Sequence, residues 1–474
     1  MRANGDLLFS CRLTMYTTVM HLQTAILRLG IVVVLAACAT HAASSFISNG
    51  MPYLVTSHGI YKLGKRPYPA GTREKFIAEG RALGALPADF VVRHTLRGAV
   101  DNGSGLPPIG DQGSEGSCTA WAGTYAVKTY YMKKANPSLN LALAQNQASP
   151  RFAYNLYNGG VDDGGYGHEP FEVFMRYGCA SMSAMPYTAG QVTTLPTWAK
   201  FMDGLYRRTT NYVWLWDWKP NAAKIAQANA WLANGGVAAV GVYASGSFDS
   251  WNTGDPPWTG EACTIDDIDH MVCVCGYGAG YYKIANSWGT SFGSNGFIYV
   301  SSNYFVNYFS DFMFPLEGSY TAVTAYAKVR VNHTRRSDLR SARVSVHGAT
   351  AWNFAPTPPD YPVGGAFLTD TRDNLEIATD LSFANWVLPS CAVTGTVADL
   401  VSSSVGTLTW FSVVYDGVEF TAGTTPTIVP DNNSAGASAR VVVVIPEASC
   451  AWALLLAWQV RRRHPRSRPV FSIQ

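Results

Sequence analysis

The chain has 474 residues, 47% of them hydrophobic and 14% charged, with a formal net charge of +3. That balance excludes a disordered polyelectrolyte, and the length exceeds one ordinary domain and suits two or three. Part of the positive surplus sits in the last few residues, so the body is near neutral and carries no basic stripe of the kind that grips nucleic acid.

Read from the start, Arg28 precedes an apolar run from Leu29 to Ala37 that ends in small residues. The run is too short to cross a bilayer comfortably and reads as the core of an export signal, assigned to residues 1–42. Met15 and Met20 are alternative starts for it. Leu35-Ala36-Ala37-Cys38 resembles a bacterial lipobox, in which Cys38 is lipidated; cleavage near Thr40-His41-Ala42 is the other route. Residues 43–85 form a short lead-in or prosegment, with one amphipathic helix predicted over Thr72–Leu86.

From Cys118 the pattern turns helical: Ala120, Trp121, Tyr125, Val127, Tyr131 and Met132 recur mostly at three- and four-residue steps until Asn136-Pro137. Further helices are predicted over Glu172–Tyr177 and Asn221–Asn234, the latter ended by Gly235-Gly236. Strands are predicted over Val237–Tyr243, Met271–Cys275, Tyr281–Ala285 and Phe297–Val300. Past about Leu316 only short alternating runs remain, at Ala327–Val331, Ala342–Val346, Leu408–Val414 and Arg440–Val444, which reads as an all-β domain. The tail from Pro446 holds an apolar stretch, Ala451–Val460, and then Arg461-Arg462-Arg463.

Nine cysteines stand at 11, 38, 118, 179, 263, 273, 275, 391 and 450, without the dense spacing of a disulfide scaffold. Cys273 and Cys275 share one strand face but lack a second pair, so no metal and no cofactor is expected. Cys118 differs. The Gly-rich loop Gln112-Gly-Ser-Glu-Gly-Ser feeds it to a helix N-terminus, where the helix dipole favours a thiolate and free N–H groups can hold an oxyanion. Gln112 can add a side-chain donor. His270 follows the acidic loop Asp266–Asp269 and opens a buried strand, so it is held firmly yet can face a cleft. Asn286-Ser287-Trp288-Gly289 then supplies an amide to orient the imidazole and an indole to cover it. Taken singly, each residue also has an ordinary structural reading: a core cysteine, a satisfied histidine, a turn asparagine.

Together these segments resemble the papain-like cysteine peptidases over roughly residues 86 to 315. Asp111–Cys118 resembles the nucleophile loop, Asp269–Gly278 the base strand, and Lys283–Ile298 the asparagine strand. Leu86-Pro87 resembles the start of the mature domain, and Asp163-Gly164-Gly165 a glycine shelf that pairs with substrate backbone. The resemblance implies Cys118 as nucleophile, His270 as general base and acid, Asn286 as its orienter, and Gln112 in the oxyanion hole. It implies substrate contacts at Gly164, Gly165, Tyr166 and Met271, with Trp288 shielding the His–Asn pair. Several positions depart from plant and animal members: Thr119 stands for a Trp, Glu115 for a Cys and Phe292 for a Trp, and Ser-Cys-Thr-Ala is a common bacterial form. The lead-in is shorter than the usual inhibitory prosegment, which argues against control by a full pro-domain.

The expected architecture is α+β, a two-lobe papain-like fold over 86–316 (a helical lobe and a β-barrel-like lobe), followed by a β-sandwich over 317–445 and a sorting-signal-like tail over 446–474. Val329–Leu339, Val344–Val346, Asn385–Leu388 and Val405–Trp410 resemble the P domain of proprotein convertases; a lectin-like accessory domain and a plain spacer are the rivals, and His333 and Asp338 read as structural. The expected protein is an exported monomer at the cell surface or outside, acting on protein or peptide substrates, with transient membrane attachment through the tail and no nucleic-acid partner. The rival functions are a non-catalytic surface binding protein that uses the β-sandwich, and a transglutaminase-like acyl transferase.

Overall fold

The computed structural model describes residues 44–48, 50–69, 98–158, 160–317, 323–332, 339–354, 374–382, 390–399, 406–423, 427–429 and 437–444. The export signal with Cys38, the helix over 72–86, Leu86-Pro87, His333, Asp338, Asn385–Leu388 and the tail lie outside them. Two compact units divide the chain: residues 1–142, 163–168 and 213–314, and residues 143–162, 169–212 and 315–474.

The first unit begins with a small antiparallel sheet, β1 (Ser44–Ser48), β2 (Met51–Val55) and β3 (Ile60–Lys62). No strand was predicted in this lead-in; the Gly50 and Gly59 turns, both at positive φ, reverse the chain twice and pair the three segments. A two-residue strand β4 (Val100–Asp101) follows. One continuous helix, α1, starts at Cys118–Ala120, passes through a π-helical stretch Trp121–Lys128 and ends as Thr129–Ala135. Its apolar side is buried at Trp121, Tyr125, Val127 and Tyr131.

Three helices of the second unit come next: α2 (Pro150–Tyr157), α3 (Glu169–Arg176) and α4 (Trp198–Leu205). α3 begins three residues ahead of the predicted start because Glu169 and Pro170 suit a first turn. α2 and α4 are elements the periodicity reading passed over. β5 (Asn211–Trp216) leads back to the first unit, which continues with α5 (Ala222–Ala233), β6 (Ala238–Val242), β7 (His270–Gly278), β8 (Tyr281–Ala285), β9 (Phe297–Ser301), α6 (Ser302–Tyr308) and β10 (Ser310–Leu316).

These strands form a seven-stranded sheet in the order β5-β10-β6-β7-β8-β9, with β4 paired to β7. β7 is its spine, buried from His270 to Tyr277, and α1 packs against β6 and β7. The antiparallel register sets Cys273 opposite Ala285, so the chain leaving β8 heads back toward the start of β7.

In the second unit, β11 (Ala325–Asn332), β12 (Leu339–Val346), β13 (Ala349–Phe354), β14 (Asn374–Asp380), β15 (Ser390–Asp399), β16 (Gly406–Tyr415), β17 (Val418–Thr421), β18 (Thr427–Val429) and β19 (Ala437–Val444) make two antiparallel sheets. One runs β14-β11-β16-β17 with β18 on β16, the other β13-β12-β15-β19. Strict alternation in β11 buries Ala325, Ala327, Val329 and Val331 on one face. A Cβ at Gly395 on β15 would stand 2.6 Å from the Phe411 ring on β16, so the two sheets meet there in close contact.

Helix α4 lies against this β region through Trp198. Its indole donates to the Val329 carbonyl at 3.3 Å, the Arg330 guanidinium sits 4.1 Å from its ring centroid, and its backbone N–H donates to Glu376. Arg208 pairs with the buried Asp380 nearby.

The Ser149 side chain caps α2, accepting from the Phe152 N–H at 3.2 Å and donating to the Met185 carbonyl at 2.5 Å. Ser149→Ala removes both bonds at a buried site and is expected to cost about 1–2 kcal/mol. Urea denaturation followed by circular dichroism checks this as a lower midpoint with unchanged slope.

Candidate active site

All nine residues singled out as catalytic or substrate-contacting belong to the first unit. His270 opens β7 and Asn286 leaves β8, and the register above brings them together: His270 Nε2 lies 2.9 Å from Asn286 Oδ1. Asn286 Oδ1 also accepts the Ser287 N–H at 2.8 Å, which marks it as the oxygen. His270 Nε2 therefore carries the proton, and Nδ1, which makes no hydrogen bond among the described residues, keeps its lone pair. The Trp288 ring lies 4.8 Å from the imidazole, is fully buried, and excludes water from the His–Asn bond.

Cys118 is fully buried at the first turn of α1. Burial pushes its thiol up to about 11, while hydrogen bonds from the Met271 and Gly64 N–H groups pull the other way. Met271 directly follows His270, so the start of β7 is laid against the sulfur. Burial likewise draws His270 down to about 4, against the Asn286 bond. Both shifts favour the uncharged thiol and the uncharged imidazole while the site is covered.

Gln112 is buried beside them. Its Nε2 donates to the Lys62 carbonyl at 3.1 Å and the Glu115 carbonyl at 3.0 Å, and its Oε1 accepts from Ser287 Oγ at 2.7 Å. Ser287 fixes which end of the amide faces the cleft. Sequence reasoning passed over this serine, although its place between Asn286 and Trp288 was the available signal.

The larger omission is what covers the site. The lead-in strand from Tyr61 to Arg66 runs through the cleft. Tyr61 stacks on Trp288 at 4.8 Å and its hydroxyl donates to the Trp288 carbonyl at 3.2 Å. Gly165 donates its N–H to the Gly64 carbonyl at 2.8 Å and accepts from the Arg66 N–H at 2.9 Å, a parallel bridge centred on Lys65. Lys65 N–H donates to the Asp269 carbonyl at 2.8 Å. Tyr166 stacks on Tyr68 at 5.2 Å and lies under the Arg66 guanidinium at 5.0 Å. A Cβ at Gly64 would collide with the Gly116 carbonyl, and one at Gly164 with the Gly64 carbonyl, so the strand fits only because both are glycine. It is the Lys62 carbonyl that meets Gln112, whereas Gly64 turns an N–H toward the sulfur.

The six cysteines 118, 179, 263, 273, 275 and 391 are free, and all but Cys263 are buried.

Residues 95–310 match the family model described as papain family cysteine protease. Gamete and mating-type specific protein A of Dictyostelium discoideum is 30% identical over 206 residues, 43% of this chain and 42% of that protein. Digestive cysteine proteinase 1 of Homarus americanus is 28% identical over 249 residues, 51% of this chain and 68% of that protein. Among solved structures, xylellain, a cysteine protease from Xylella fastidiosa, is 21% identical with a TM-score of 0.41, covering 54% of this chain and 96% of that one. The chain spans less than half the length of the Dictyostelium relative.

Gly64→Val should expel the lead-in strand. Alkylation of Cys118 by iodoacetamide at pH 7 is then expected to speed up by about tenfold or more. In the parent chain the rate should keep climbing with pH, because a thiol raised to about 11 ionises only slowly across that range. In Gly64→Val it should level off near neutrality, as water readmitted to the cleft lets the thiolate–imidazolium pair form. Timed labelling with mass mapping of Cys118 distinguishes the two profiles.

Proposed function

We propose that the chain is an exported thiol-dependent peptidase that cleaves peptide bonds through a Cys118–His270–Asn286 site. The observation that carries this reading is the His270–Asn286 bond, 2.9 Å long and roofed by Trp288, on a strand that also delivers a backbone donor to Cys118. The papain-family match over 95–310 supports it.

In this mechanism Nδ1 of His270 takes the thiol proton while Asn286 holds the opposite ring nitrogen, so the imidazolium forms without reorientation. The sulfur attacks the scissile carbonyl carbon. Gln112 Nε2, now relieved of the Lys62 carbonyl, donates to the developing oxyanion along with N–H groups at the start of α1. His270 returns its proton to the leaving amine and a thioester remains. Water, deprotonated by the same nitrogen, attacks that thioester, and the acid product leaves with the thiol restored.

The lead-in strand blocks this cycle while it is seated, and the peptidase works once the strand is displaced or cut. The C-terminal sheets are read as a β-sandwich accessory domain carried by the peptidase. The apolar run Leu29–Ala37 supports export, and the substrate is taken to be protein.

Two results test this reading. An epoxide inhibitor should label Cys118 in the chain with the cleft cleared, and casein hydrolysis should vanish in Cys118→Ala. Gln112→Ala should lower kcat by about 10²-fold with little change in KM, the pattern of a donor used only in the transition state. A Cys118→Ala protein that still hydrolyses casein would sink the proposal.

A further inference from the structure

One face of the sheet β14-β11-β16 carries charge and aromatic rings together. Along β14, Glu376 and Asp380 lie four residues apart and so on one side. Along β11, Lys328 and Arg330 share that side, with Arg330 opposite Glu376 in one register and opposite Trp410 of β16 in the other. The reverse side of β11 is the buried apolar row Ala325, Ala327, Val329 and Val331. Taken from the strand alternation alone, the charged side would face water. Instead it meets Trp198, the first residue of α4, and Arg208, just past the end of that helix, all within the second unit.

The helix depends on this face for its cap. Thr197, at the N-cap, makes no side-chain cap bond. The acceptor comes from β14: Glu376 takes the Trp198 N–H at 2.9 Å and is itself held by Arg330 Nε at 2.9 Å. The Arg330 guanidinium and the Lys328 ammonium lie over the Trp198 ring at 4.1 Å and 5.6 Å, and the Trp410 ring stands 6.1 Å away. Past the helix, Arg208 pairs with Asp380, whose side chain is 1% exposed. The other oxygen of that carboxylate accepts the Ser382 N–H at 2.8 Å. An aromatic anchor flanked by arginine, with its polar neighbours satisfied, is the make-up of an energetically strong interface rather than of a passing contact.

We propose that this sheet face is a docking surface whose partner is residues 198–208 of the same chain. It holds the C-terminal sheets on the segment that matches the peptidase family, independently of the peptide that connects them. Nicking the chain after β10 therefore does not release the β region. This goes beyond the peptidase reading and does not rest on it.

The test uses the full chain with a recognition site for a sequence-specific protease inserted after Glu317 and cut after folding. The two pieces should co-elute at the size of the intact chain in size-exclusion chromatography at micromolar concentration. Trp198→Ala should weaken their association by about tenfold or more, read as separation of the pieces on dilution. Arg208→Asp should separate them too. Combining Arg208→Asp with Asp380→Arg should restore co-elution, because the exchange returns opposite charges to the pair, a recovery that a misfolded chain would not give. Separate peaks from the cut parent, co-elution that survives both single substitutions, or an exchanged pair no better than Arg208→Asp would each overturn the proposal.

Discussion

The bond between His270 and Asn286 is the interaction on which the rest of the site depends. It fixes which ring nitrogen carries hydrogen, and so which one is left as a base. Alone such a bond contributes only about 1 kcal/mol, because water competes for both partners. Here Trp288 removes that competition, and two rigid neighbours in one sheet set the geometry. β7 supplies the imidazole and β8 the amide, and their antiparallel pairing makes the meeting of residues far apart in the chain a matter of register. Anything that slipped β8 by a single position would turn Asn286 to the other face and leave the imidazole free to rotate.

The same enclosure that protects this bond silences it. With the lead-in strand seated, neither the sulfur nor the imidazole meets solvent, and the charged pair that would make the thiol a nucleophile is disfavoured on both sides. The strand achieves this with main-chain contacts at Gly165 and Gln112, groups that the proposed mechanism reserves for substrate. Against the sulfur itself it sets the Gly64 N–H.

Much of the site was legible because chemistry restricts which residue types can serve. A nucleophilic cysteine needs a helix start, a base and an orienting amide, and Cys118, His270 and Asn286 stand in segments that offer them. The strands β6 to β9 were legible too, since buried runs bounded by glycine leave little choice. What sequence did not disclose were contacts whose partners carry no local mark. Lys65 looks like an ordinary surface lysine and Asp311 like a loop acid until folding buries them together. Ser287 reads as filler between an amide and an indole. Helix α2 was missed although Ser149-Pro150 is a good start signal, because a run of eight residues is too short for its period to stand out. The lead-in strands were missed for a related reason: short three- to five-residue strands acquire their partners from turns rather than from periodicity.

The fit at Gly64 has a bearing on how such a protein changes over generations. Every glycine codon lies one base from an alanine codon, and the added methyl would meet the Gly116 carbonyl head-on. Restraint of the cleft is therefore poised on a single nucleotide, while the machinery it restrains is spread over several distant segments. Purifying selection should therefore fall on this glycine as heavily as on the nucleophile itself.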